Sequence, residues 1–290
     1  MGGLGNQMFQ YAAGRALALR LGVPLKLDLS WFDAMQSVIT PREYMLHVFP
    51  VAAAIANPEE IERIACRKQN FFAKLLRRSK RRHGRHYVKE PSYNCWPDFN
   101  FLTAPIYLDG YWQQEDYFAD VADIIRKDFV FPVFTCKEVE KLAAKISAAA
   151  ASVCVHIRRG DYSVDPTTKN THGLCSPEYY AQALRILSQK LEKELSLFLF
   201  TDDPVWVRKN FDMHGYPTIV VDFAEHQNKP WHDMHLMSLG MHHIIANSSF
   251  SWWGAWLSEG SGMIIAPKRW FVMAERQNDT PVPAEWIRID

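Results

Sequence analysis

The chain contains no Asp-x-Asp, no CxxC and no His/Cys/Glu set at metal-ligand spacing. Zinc ribbons are excluded, and any diphosphate bound here would have to be neutralised by arginine and helix dipoles. GxxxxGK[ST] and GxSxG are also missing, which removes P-loop NTPases and α/β-hydrolases. Five cysteines (Cys66, Cys95, Cys136, Cys154 and Cys175) are odd in number and scattered. Such a set reads as reduced thiols of a cytoplasmic protein. The formal net charge of +1 gives no whole-chain case for nucleic acid. No apolar run approaches the roughly 20 residues needed to span a bilayer, and no signal peptide is visible. Internal repeats and low-complexity segments are likewise not found.

What is present is core material. Hydrophobic residues make up 48% of the 290 and charged residues 22%, enough for one large domain or two ordinary ones. Gly2-Gly3-Leu4-Gly5-Asn6 leads into a helix over about 6–21, with Met8, Phe9, Ala12, Ala16 and Leu19 on one face and Asn6 as its cap. A short strand, Pro24–Leu29, ends near Asp28. Asn57-Pro58-Glu59-Glu60 starts a second helix. Ile106–Asp109 runs into Gly110-Tyr111-Trp112-Gln113-Gln114, a turn whose rings and amides suit a hydroxyl-rich ligand, and a helix over 115–127 follows.

From Arg63 to Lys89 the chain turns basic, with Phe71, Phe72, Leu75 and Leu76 inside the run. One reading is an interfacial helix in peripheral contact with anionic lipid at the inner membrane; the other is a solvated face. RNA binding is a weaker third, because no aromatic platform accompanies the charge.

An alanine-rich helix, 137–151, reads as a connector. Beyond it the pattern becomes regular, with strands at 152–158, 195–201, 218–221, 243–246 and 263–266 separated by helices at 177–193, 204–211, 232–241 and about 251–257. Such alternation means a parallel, doubly wound α/β sheet, which puts ligands outside the carboxyl ends of its strands. The expected domains are therefore 1–135, a connecting helix 136–151, and 152–290.

The strand ends are informative. His156-Ile157-Arg158-Arg159-Gly160-Asp161 closes the first strand of the regular half. Adjacent side chains of a strand point to opposite faces, so one arginine should meet an anion and the other pair internally, with Asp161 the nearest partner. Asp202-Asp203 and Asp222 end the next two strands. Asn247-Ser248-Ser249-Phe250-Ser251 offers small donors at a helix start, suited to a phosphate. Asp233 either meets a base edge or caps its helix.

Three segments together carry a resemblance. Gly2–Ala12 (GGLGNQMFQYA), His156–Tyr162 (HIRRGDY) and Ile245–Ala255 (IANSSFSWWGA) resemble the bacterial α-1,2-fucosyltransferases of glycosyltransferase family 11. Asp109–Gln113 and Thr201–Asp203 fit the same pattern. The resemblance implies a GT-B type α/β fold of two Rossmann-like domains facing a central cleft. It implies transfer of L-fucose from GDP-β-L-fucose to the 2-hydroxyl of a galactose-terminated acceptor, inverting, with no cofactor and no metal. By position, it gives guanine to His156 and Asp233, the β-phosphate to Arg158, and the diphosphate to Ser248, Ser249 and Phe250. Asp161 becomes a structural partner, and Asn6 faces fucose or the leaving group. In that family a strand precedes the Gly-Gly turn, and here it is missing. For the acceptor's proton, Asp28 ranks before Glu115 and Asp116, and the departing phosphate is an alternative sink. Two competing readings are a fucosyltransferase of other linkage or acceptor, and a non-catalytic nucleotide-sugar-binding or membrane-surface protein.

Overall fold

The computed structural model describes residues 1–34, 42–65, 86–160, 171, 173–222 and 229–290. The chain forms two compact units, Met1–Val130 and Phe131–Asp290.

The first unit is built on α1 (Leu4–Leu21), which is buried on nearly all sides rather than along one face. Leu4, Met8, Phe9, Tyr11, Ala12, Ala13, Ala16 and Leu17 are all inaccessible. Small residues make this possible by letting neighbours approach the backbone. The helix is tied down by polar groups as well. Tyr11 donates to Asp128 Oδ2 at 2.7 Å and accepts from the Ala52 N–H at 2.9 Å, while Arg15 pairs with the same carboxylate at 3.0 Å.

Around it lie β1 (Lys26–Leu27), α2 (Ser30–Ala34), β2 (Ala54–Ile55), α3 (Pro58–Ala65), β3 (Tyr87–Lys89), β4 (Tyr107–Asp109) and α4 (Ala122–Asp128). β1 pairs with β2 and β3 with β4, as two separate parallel ladders among the described residues. Asn57 caps α3 as expected: its Oδ1 accepts from the Glu60 N–H at 2.9 Å, and Glu60 accepts the Asn57 N–H at 3.1 Å. The helix expected over 115–127 is instead two 3-10 turns followed by α4. Arg20 explains the interruption. Its guanidinium takes the Tyr117 carbonyl at 2.9 Å and the Asp120 carboxylate at 2.6 Å, so that carbonyl bonds a side chain where a helix would use a backbone N–H. Most of the basic run lies outside the described residues. Among those described, no helix is long and apolar enough to cross a membrane.

The second unit contains α5 (Lys137–Ala148), β5 (Ser152–Ile157), α6 (Pro177–Lys190), β6 (Ser196–Thr201), α7 (Pro204–Asn210), β7 (Thr218–Val221), α8 (Pro230–Ser238), β8 (His242–Ile244), α9 (Ser249–Trp256), β9 (Ile264–Pro267) and β10 (Ile287–Ile289). Its six strands are all parallel, in the order β10-β9-β8-β5-β6-β7. Counted from β5, this is the doubly wound order 3-2-1-4-5-6. β5 is buried throughout, and its side chains alternate between two cores. Val153, Val155 and Ile157 pack with α6 and β10 on one face. Cys154 packs with α5 and α8 on the other.

α5 is therefore not a connector. Val139, Leu142 and Ile146 belong to the core of the second unit, so the helix is one of its layers. β10 was not anticipated, because three residues are too few to show a period; it adds to β9 with Ile287 opposite Ile265. α8 and α9 come together where Gly254 meets Met237. A Cβ there would stand 3.0 Å from the methionine side chain, so a larger residue would force the helices apart.

Acid should weaken this unit. His156, His235 and His243 are each pushed down to about 4, chiefly because burial penalises the cation. Unfolded, they titrate near 6.5. The unfolded chain thus binds protons first, and stability falls as pH drops from about 6.5 towards 4. Thermal midpoints measured from pH 7.5 to 4.5 should hold above about 6.5 and decline below it. A midpoint unchanged down to pH 5 would contradict buried neutral rings.

Candidate active site

From β5 the chain winds outward to β6 and β7 on one side, then crosses back to β8 on the other side of β5 and winds outward to β9 and β10. The carboxyl end of the β5–β8 pair is consequently the switch point, where the loops part and a crevice opens. The sequence puts His156, Ile157 and Arg158 at the end of β5 and residues 245–251 after β8, so the two candidate groups meet by topology alone.

His156 is 5% exposed, and its Nδ1 has no hydrogen-bond partner among the described residues. Its carbonyl accepts from Tyr180 Oη at 3.1 Å, and its ring lies 5.8 Å from that of Phe250 on α9. Burial lowers its pKa, and the neighbouring Arg158 cation adds to the shift. At neutral pH the imidazole is uncharged, with one ring nitrogen able to accept and the other to donate.

Arg158 Nη1 pairs with Asp202 Oδ2 at 2.8 Å, both side chains being a quarter exposed. Arg159 lies the other way. Its guanidinium stacks 3.6 Å over Trp206, its Nε faces Asp203 at 3.6 Å, and its backbone N–H donates to Asp202 Oδ1 at 2.8 Å. The expected division between the arginines thus takes an altered form. Both are paired, through consecutive aspartates after β6. Asp161, expected as a partner, lies outside the described residues. Asp202 could not have been chosen from sequence alone, because its nearness follows from register: Ile157 stands opposite Thr201, so Arg158 and Asp202 are the next residues along.

The expected hydroxyl cluster is mostly engaged in structure. Asn247 is buried and donates to the Trp270 carbonyl, and Ser251 is buried with its hydroxyl on the carbonyls of Ala246 and Ser248. Ser248 caps α9, accepting from the Phe250 N–H at 3.3 Å. Ser249 and Phe250 are half-buried in the first turn. Asp233 is not the cap of α8; that position is Lys229, and Asp233 stands half-buried one turn in.

Asn6 and Asp28 belong to the first unit. Asn6 is not the α1 cap either, since the helix begins two residues earlier with Gly3 in that place. Its Oδ1 accepts from Gln113 Nε2 at 2.7 Å, and Gln113 accepts from Tyr93 Oη at 3.0 Å. Asp28 uses both oxygens, one on the Ser30 N–H at 2.8 Å and one on Tyr107 Oη at 2.7 Å. In the aromatic turn, Trp112, Gln113 and Gln114 are buried while Tyr111 is exposed. Glu90 holds that turn by accepting the N–H groups of Tyr111 and Trp112 at 2.7 and 3.0 Å.

Comparison with known proteins fits this geometry. The chain is 35% identical to an α-1,2-colitosyltransferase of Escherichia coli over 304 residues, covering 100% of this chain and 97% of the relative. It is 29% identical to the O-antigen biosynthesis glycosyltransferase WbnK of Escherichia coli, covering 93% of each. The structure of the NodZ α-1,6-fucosyltransferase soaked with GDP-fucose aligns with a TM-score of 0.50 at 14% identity, covering 88% of this chain and 89% of that one, which supports a GT-B-like α/β fold. The family model for glycosyl transferase family 11 matches residues 1–290. This chain is a glycosyltransferase and belongs to glycosyl transferase family 11.

Proposed function

We propose that the chain transfers L-fucose from GDP-β-L-fucose to the 2-hydroxyl of a terminal galactose, with inversion and without a metal. The observation that carries this reading is a buried, neutral imidazole whose Nδ1 has no hydrogen-bond partner among the described residues, two residues from an arginine, at the switch point of the sheet. His156 and Asp233 hold guanine, a base whose edge carries both donors and acceptors. Arg158 meets the β-phosphate. Ser249, Phe250 and the start of α9 lie beside the diphosphate, with Ser248 shaping the turn.

Breaking the fucosyl C1–O bond builds positive charge on the sugar and negative charge on GDP. The acceptor O2 bonds to C1 and loses its proton. A guanidinium that meets charge present mainly in the transition state raises kcat.

Asp28 already has a structural task, with one oxygen on the Ser30 N–H and the other on Tyr107 Oη, and so ranks behind the leaving phosphate as proton sink. The leaving phosphate takes the proton in our reading. Asp28→Asn should keep kcat within about threefold at neutral pH, far from the 100-fold or more that general-base removal costs. A loss of 100-fold in a folded variant would return the role to Asp28.

A second donor is favoured by one finding, the 35% identity to a colitosyltransferase. Colitose lacks the 3-hydroxyl of fucose, so the two donors differ by one hydrogen-bonding group. The test is to offer GDP-fucose and GDP-colitose separately with lactose in EDTA and to determine product linkage by NMR. A 1,2-linked fucoside supports the proposal. Activity with GDP-colitose alone selects the second reading, and activity abolished by chelation contradicts the metal-free mechanism.

A further inference from the structure

We infer that Asp202 is a positioning residue for the transfer reaction, holding Arg158 through a turn wrapped around its carboxylate. The inference rests on the donor reading above, in which Arg158 meets the β-phosphate. Three consecutive residues close on this one side chain. Arg158 donates Nη1 to Oδ2 at 2.8 Å, and Arg159 donates its backbone N–H to Oδ1 at 2.8 Å. Gly160 contributes by having no side chain, since a Cβ there would stand 2.6 Å from Oδ2 and 3.0 Å from Cγ. Both carboxylate oxygens are therefore committed to the turn that ends β5.

Stability does not account for this arrangement. A pair in which each side chain is still a quarter exposed is partly screened by water, and its contribution to folding is modest. What it does fix is orientation. An unheld arginine samples many rotamers, whereas a guanidinium anchored at one Nη has its fork set before the ligand arrives. The next residue provides a contrast. Asp203 caps α7, accepting from the Trp206 N–H at 3.0 Å, and faces Arg159, which is stacked away on Trp206. Of two adjacent aspartates, one holds the phosphate-facing arginine and the other holds the framework.

The test compares binding of GDP and GMP, which differ by the β-phosphate alone, using calorimetry on the full chain. Arg158→Ala should reduce the wild-type preference for GDP over GMP by about 10-fold or more, as loss of a charged hydrogen bond does. Asp202→Asn should reduce that preference by about fivefold or more while GMP affinity stays within twofold, since a displaced fork loses part of the same bond. Asp203→Asn should leave the preference unchanged. If Asp202→Asn does not fold, Asp202→Glu serves: it keeps the charge, moves the fork by one methylene, and should reduce the preference less than Arg158→Ala does. A preference that falls in Arg158→Ala but not in the Asp202 variants overturns the inference and leaves the donor reading intact. A preference that rises in Asp202→Asn makes the carboxylate a competitor of the phosphate and also overturns it. A preference unchanged in Arg158→Ala removes the donor reading, and this inference with it.

Discussion

Arg158→Ala should lower kcat/KM for GDP-fucose by about 100-fold or more while the protein remains folded. Removing one preorganised donor from developing negative charge typically costs on the order of 3 kcal/mol of transition-state stabilisation. The fold does not depend on this side chain to the same degree. Its guanidinium sits at a strand tip, a quarter exposed, and its partner Asp202 keeps the Arg159 N–H after truncation. A partly screened pair of this kind contributes on the order of 1 kcal/mol. Rate and thermal midpoint should therefore separate, the first collapsing and the second moving only slightly. Arg158→Lys should recover part of the rate, since an ammonium supplies charge without the planar fork. Measuring kcat/KM alongside thermal unfolding checks both halves. A folded alanine variant retaining more than about a tenth of the activity would contradict a contribution of this size.

Trp252→Ala should produce the largest loss of stability. The indole is fully buried in α9, and its Nε1 donates to the Pro281 carbonyl at 2.9 Å. It lies within 5.0 Å of Trp253, 6.0 Å of Trp256 and 5.5 Å of Trp286, measured between ring centroids. Truncation opens a cavity and orphans a carbonyl at once, which together cost about 3–5 kcal/mol. For a unit of this size the midpoint should fall by on the order of 10 °C. Trp252→Phe retains most of the volume and should lose less than half as much. The consequence reaches the site, because α9 carries Ser248 and Phe250 at its start. Calorimetric unfolding decides the matter; a midpoint within 3 °C of wild type would show that the cluster repacks.

The two halves of the chain differed in how far sequence could be read, and the reason is physical. In the second unit the longer strands, such as β5, β6 and β7, are apolar runs rich in β-branched or aromatic residues, and parallel pairing needs long crossovers, so the alternation from β5 to β9 is readable while the three-residue β10 is not. In the first unit the strands are two or three residues long, and helix ends are decided by distant side chains such as Arg20 on Tyr117. No local pattern carries that information. α1 shows the same limit, for its small residues look like one apolar face yet are covered on nearly all sides.

The site divides in the same way. The place of His156 and Arg158 at a strand end was legible because a strand followed by arginines and glycine is a local signal. Asp202 was not, because its pairing with Arg158 depends on the register of two strands. Asn247 and Ser251 illustrate the converse error: small polar residues suggest a ligand, but burial turns their groups onto Trp270, Ala246 and Ser248. Asn6 was misread as a cap because helix starts shift by a residue or two, and its hydrogen bond reaches Gln113 instead.

Nucleotide recognition at the β5–β8 switch point is the claim on which the rest depends, and a crystal structure with GDP tests it most directly. The account predicts a guanine edge within hydrogen-bond reach of the His156 ring and a β-phosphate oxygen on the Arg158 guanidinium. GDP bound elsewhere, or bound here with its β-phosphate turned away from Arg158, would contradict it.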